Sequence, residues 1–220
     1  MVLSDARLLP IAAALLVLLP VFVQAPWVHA APMAASLFTV PLVALGVLLE
    51  RSDRGFRRDF GAVLVGFSGS WLAGSLFWGW CRMHPLWHLP IEAFALPLAL
   101  AGLGGRWRLA CGFYLASLLG TAATDGMIAA TGLMDLWPQV VSAPLHTAPL
   151  LLQQAAGQLL APWPLSGLLL AAGLLGGLAH RLRRHGPTAR VAAACLATTV
   201  AVDGIFLALA LLSPELTGLL

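Results

Sequence analysis

Residues 60–80 read Phe60-Gly61-Ala62-Val63-Leu64-Val65-Gly66-Phe67-Ser68-Gly69-Ser70-Trp71-Leu72-Ala73-Gly74-Ser75-Leu76-Phe77-Trp78-Gly79-Trp80, with no charge between Asp59 and Arg82. As a helix this run rises about 31 Å, the thickness of a bilayer's hydrocarbon core. Gly66, Ser70 and Gly74 recur at four-residue spacing and form a stripe of small side chains. In lipid, where packing replaces the hydrophobic drive, such a stripe lets helix backbones approach closely.

The rest of the chain repeats this theme. Of the 220 residues 60% are apolar and 10% charged, against about 25% charged in a soluble domain. Too little polar surface remains to face water all round, and a single transmembrane domain over 1–220 is expected. Seven spans can be drawn, at Leu8–Ala25, Pro32–Leu49, Phe60–Trp80, Leu86–Leu103, Leu109–Thr131, Pro164–Ala179 and Val191–Leu212. The expected fold is all-α, a polytopic transmembrane bundle of about seven helices. Between the fifth and sixth spans, residues 132–163 carry four prolines, and their apolar part is broken by His146, Gln153, Gln154 and Gln158. That pattern predicts an interfacial or re-entrant segment. The first span could be taken for a secretory signal with cleavage after Ala25, but Pro26 would hinder the cut, so a retained helix is expected.

All twelve basic residues are arginine, and they sit at helix ends, where they report topology and not nucleic-acid binding. With the N-terminus cytoplasmic, the inner side receives Arg7, Arg51, Arg54, Arg57, Arg58, Arg106, Arg108, Arg181, Arg183, Arg184 and Arg190, and only Arg82 falls outside. The asymmetry holds only if 132–163 makes no net crossing. It predicts a cytoplasmic N-terminus and a C-terminus on the opposite side. Trp27, Trp78, Trp80, Trp87, Trp137 and Trp163 gather at the outer ends, as an aromatic belt or an aromatic-lined mouth.

Ionisable groups within spans are costly and mark sites or inter-helix partners. The candidate polar site comprises Arg82, His88, Glu92, Asp125 and Asp203. Arg82 is expected to pair with Glu92 across the third-to-fourth hairpin. Asp125 belongs to the outer third of span five, Asp203 to the middle of span seven. If these groups are only glue, each Asp should bond the threonine one turn earlier, Thr121 or Thr199. His84, His88 and Glu92 are spaced by four, as metal ligands on one helix face could be, but Pro85 and Pro90 interrupt that helix. No metal is therefore expected, and no cofactor can be named. A second stripe, Gly112, Ala116 and Gly120, marks span five. Ser117-Thr121-Asp125-Gly126 is echoed by Cys195-Thr199-Asp203-Gly204. The three cysteines form no ligand spacing and read as small apolar residues.

Gly66-Phe67-Ser68-Gly69 matches the GxSG of rhomboid proteases, whose serine needs a histidine base from a later helix. His180 falls at the opposite end of its span, so no catalytic residue is assigned and the reading leans away from an enzyme. No nucleotide-binding loop occurs.

The tryptophan-rich run 66–80, with Pro85-Leu86-Trp87-His88-Leu89-Pro90-Ile91-Glu92-Ala93, Leu118-Leu119-Gly120-Thr121-Ala122-Ala123-Thr124-Asp125 and Val202-Asp203-Gly204, resembles an uncharacterised integral-membrane family of cyanobacteria. The resemblance implies a plasma or thylakoid membrane and no particular activity. Two readings follow: a small-molecule or ion carrier or binding component with an outward-facing polar site, or a non-catalytic scaffold or assembly factor for membrane, including photosynthetic, complexes. The bilayer is the partner common to both; other membrane subunits belong to the second, and nucleic acid to neither.

Overall fold

The computed structural model describes residues 5–53, 55–144 and 146–216. Arg54 and the C-terminal residue of the topology argument lie outside the described residues. Among the described residues there are helices and no strands. Six helices are long and apolar enough to cross a membrane: α1 (Arg7–Ala30), α2 (Pro32–Glu50), α3 (Gly55–Cys81), α6 (Arg108–Ala130), α9 (Pro162–Leu182) and α10 (Pro187–Leu212). Four shorter α-helices lie between them, α4 (His88–Glu92), α5 (Leu96–Gly102), α7 (Trp137–Ser142) and α8 (Ala148–Gln158), with 3-10 turns at Pro85–Trp87, Leu133–Asp135 and Pro214–Leu216.

Composition sorts the long helices radially. The Gly- and Ser-rich α3 is innermost, with 72% of its most apolar window buried, whereas the Leu-rich α9 is 6% buried and presents Leu170, Leu174 and Leu178 outward. Small residues surrender side-chain volume so that backbones can touch, and leucine is as much at home against lipid as against protein. The main core joins Leu9, Ala13 and Leu16 of α1 to Val63 and Phe67 of α3, Phe113 of α6, and Val191 and Cys195 of α10. The first helix is thus an integral wall of the bundle.

Both small-residue stripes are used inside the chain. A Cβ added at Gly66 would overlap the Ala110 backbone, and one at Gly74 would press on Gln24. Added Cβ atoms at Gly112 and Gly120 would strike Thr188 and Thr199 of α10. These contacts also set helix direction. Gly66 meets Ala110 and Gly69 meets Tyr114, so α3 and α6 run parallel. Gly112 meets Thr188 and Gly120 meets Thr199, so α6 and α10 run parallel as well.

Two successive long helices can be parallel only if the chain between them returns. Here the sequence expectation needs correction. The predicted fourth span, Leu86–Leu103, is not one helix but α4 and α5, separated by a turn at Ala93–Ala95. Pro97 causes the break: it cannot donate to the Ala93 carbonyl, and its ring crowds that carbonyl. The broken passage runs antiparallel to α6, with His88 beside Asp125, Glu92 and Ala95 beside Tyr114, and Gly102 against Cys111. From Asp125 to Cys111 it descends about 21 Å along the bundle.

The described residues of 132–163 begin and end at one end of the bundle. Gly167, near the start of α9, faces Met127, near the end of α6. Val140, Leu152 and Ala156 pack on Ala210, with Phe206 and Leu207 against the same cluster, and Gln153 donates to the Leu211 carbonyl. At the other end Arg106 pairs with Glu50, tying the start of α6 to the end of α2. The described arginines gather at that end, Arg82 excepted.

Candidate functional site

Between the helices lies a cavity of about 560 Å³ that extends toward the end opposite the arginine cluster. Arg82, His88, Glu92, Asp125 and Asp203 all line it, although they come from separate parts of the chain. Leu16, Phe67 and Phe113 form its deep apolar end, and His29 and Arg82 stand at its rim.

Each polar wall has a local cause. α3 ends in a wider-wound segment, Phe77–Cys81, and α1 contains another at Pro20–Gln24. Extra residues in a helical turn re-aim side chains and are frequent beside functional sites. Here they border the cavity with Gln24 and Trp78. Gln24, only 1% exposed, donates to the Trp71 carbonyl and to Ser75 Oγ, locking α1 to α3. Trp71 in turn donates to the Ala35 carbonyl at 2.8 Å.

His88 opens α4. Its Nδ1–H donates to Asp125 Oδ1 at 3.0 Å, and its ring packs on Phe77 with centroids 4.2 Å apart. The second carboxylate oxygen, Asp125 Oδ2, is buried and has no hydrogen-bond partner among the described residues, and the same is true of Ser70 Oγ. Both residues line the cavity. A buried acceptor without a donor is costly unless something that enters the space supplies one. Asp203 lies beside Thr124, whose hydroxyl donates to Asp203 Oδ2 at 2.8 Å. Glu92 is 7% exposed, and its backbone carbonyl accepts from the Tyr114 hydroxyl, which itself accepts from the Ala95 N–H at 3.1 Å. That clamp holds both sides of the α4–α5 break on α6.

Several sequence expectations change. Arg82 does not pair with Glu92; it donates to His29 Nδ1 at 2.8 Å, and its carbonyl accepts from the Trp137 indole. The turn of α4 carries Glu92 inward while Arg82 stays at the rim. Neither aspartate bonds the threonine one turn earlier: Asp125 takes His88, Asp203 takes Thr124, and Thr199 donates to its own helix at Cys195. Parallel packing of α6 and α10 places Asp203 at the level of Thr124, so both aspartates lie at one depth. The tryptophans divide. Trp80, Trp87 and Trp163 are exposed as in a belt, while Trp78 and Trp137, 5.6 Å apart, line the cavity. Ser68 of the GxSG match is buried and donates to the Val65 carbonyl at 2.7 Å. Among the described residues no three His, Cys, Asp or Glu side chains group as a metal site.

Sequence reading missed Gln24, Ser70 and Thr124 as cavity residues, and it named Trp78 and Trp137 for an aromatic-lined mouth without pairing them. A lone glutamine in an apolar run was a usable signal; the others required knowing which faces meet.

The molecule is therefore an all-helical bundle with an acidic, partly aromatic cavity opening at one end. The chain belongs to the family described as protein of unknown function (DUF3120), whose model matches residues 13–211. No curated protein and no solved structure matches it.

Proposed function

We propose that this protein is a membrane-embedded carrier or binding component for a small organic cation that enters from the non-cytoplasmic side. The observation that carries the reading is the unpartnered Asp125 Oδ2 inside a cavity that also holds Glu92 and Asp203. Three carboxyl groups face a single arginine, which already donates to His29 at the rim. An ammonium group brings several donors and a positive charge to such a place. Trp78 and Trp137 offer ring faces that attract cations.

The orientation rests on the positive-inside rule: the arginine end faces the cytoplasm and the cavity opens opposite. A plasma or thylakoid membrane follows from the resemblance in sequence. The scaffold alternative drew on the small-residue stripes, and these are occupied by the chain's own helices.

The test is calorimetric titration of ethylamine into the protein in phosphatidylcholine nanodiscs. Wild type should bind, and Asp125→Asn should fold normally yet lose binding, because the neutral amide keeps an acceptor for His88 but sheds the charge. Ethylamine failing to bind wild type, or binding Asp125→Asn equally well, would overturn the proposal.

A further inference from the structure

Beside the polar cavity lies a second one of about 380 Å³, walled by α6, α7, α8, α9 and α10. The two share Thr124, Ile128, Trp137, Asp203 and Phe206 in their linings. Beyond Thr124, Asp203 and the indole of Trp137, the second lining has no polar side chain. Alanine and glycine keep it open: Ala123, Ala155, Ala172 and Gly204 stand where larger side chains would close it.

From this juxtaposition we infer that the ligand is an amphiphilic amine, its ammonium head at Asp125 and its alkyl chain in the second cavity, passing the Thr124–Asp203 bond. The inference rests on the cation site proposed above and adds the chemical class. An apolar space of this size suits an alkyl chain better than water. A charged head alone would leave that space unused. A ligand with both parts places each in matching surroundings. A phospholipid could put an acyl chain there, but its phosphate oxygens only accept, so they would meet Asp125 Oδ2 without supplying the donor it lacks.

The test compares n-alkylamines from ethylamine to decylamine on wild type, Gly204→Leu and Gly173→Leu in phosphatidylcholine nanodiscs. Gly204 lines the second cavity and a Cβ there meets nothing within 4 Å, so a leucine can be added at that wall without displacing the backbone. Gly173 is equally open and lines neither cavity, which makes it the control. Partition of the longer amines into lipid is the same for all three proteins and cancels between them. Wild type and Gly173→Leu should bind about fourfold tighter per added methylene until the cavity is full. Gly204→Leu should bind ethylamine normally and lose that gain. Ethylamine binding with an equal chain-length gain in all three proteins would overturn this inference alone and assign the second cavity to bilayer lipid. Absence of ethylamine binding to wild type would remove both proposals.

Discussion

The Nδ1–H of His88 donates to Asp125 Oδ1 across 3.0 Å, joining a five-residue helix to the C-terminal half of α6. Both partners are largely buried, with side chains 22% and 11% exposed, so loss of either strands the other. A double-mutant cycle of His88→Ala and Asp125→Ala should show coupling of about 1–3 kcal/mol in thermal unfolding. Additive losses would mean the two groups act separately.

Arg82 and Glu92 should show no such coupling, because Arg82 donates to His29 and Glu92 faces inward. Arg82→Ala with Glu92→Gln should be additive within about 0.5 kcal/mol. Coupling between Arg82→Ala and His29→Ala should stay below about 1 kcal/mol, as expected for an exposed pair. A large Arg82–Glu92 coupling energy would contradict the observed geometry.

Tyr114 bridges the break in the returning passage, donating to the Glu92 carbonyl and accepting from Ala95. Tyr114→Phe keeps the ring but orphans both backbone groups. A loss of about 1–3 kcal/mol is expected, with faster hydrogen exchange at the Ala95 amide. Unchanged exchange there would show that the turn holds without the clamp.

Glycines differ by what surrounds them. Gly66→Ala should destabilise by about 1–3 kcal/mol, since the added methyl overlaps the Ala110 backbone. Gly176→Ala, in open space on the peripheral α9, should be neutral or gain up to about 1 kcal/mol from helix propensity. Equal unfolding temperatures for the two variants would refute the close approach of α3 and α6.

Sidedness can be read by labelling in a Cys81→Ser background with a membrane-impermeant maleimide. Met83→Cys and Gln139→Cys should react from the same side, and Arg184→Cys only from the other. Labelling of Met83→Cys and Arg184→Cys from one side would overturn the course traced by the helix contacts.

Much of this protein was legible from local chemistry. Uncharged runs such as 60–80 must be helical in hydrocarbon, since no other single segment satisfies its own backbone there. The gathering of arginines at one end, and the expectation that 132–163 makes no net crossing, followed from charge placement along the chain. The candidate site residues were visible because an ionisable group within an apolar run stands out. Their partners were not. Arg82 and Glu92 are close in sequence, yet Pro97 breaks the returning passage and the turn of α4 sends Glu92 inward, so His29, fifty-three residues away, takes the arginine. The parallel contact of α6 with α10, set where Gly112 and Gly120 admit Thr188 and Thr199, brings Thr124 to Asp203 and the two aspartates to one depth. Sequence spacing determines which face of a helix a residue occupies. Which faces meet, and whether a cavity is left between them, depends on the packing of all the helices at once, and only the tertiary structure decided it.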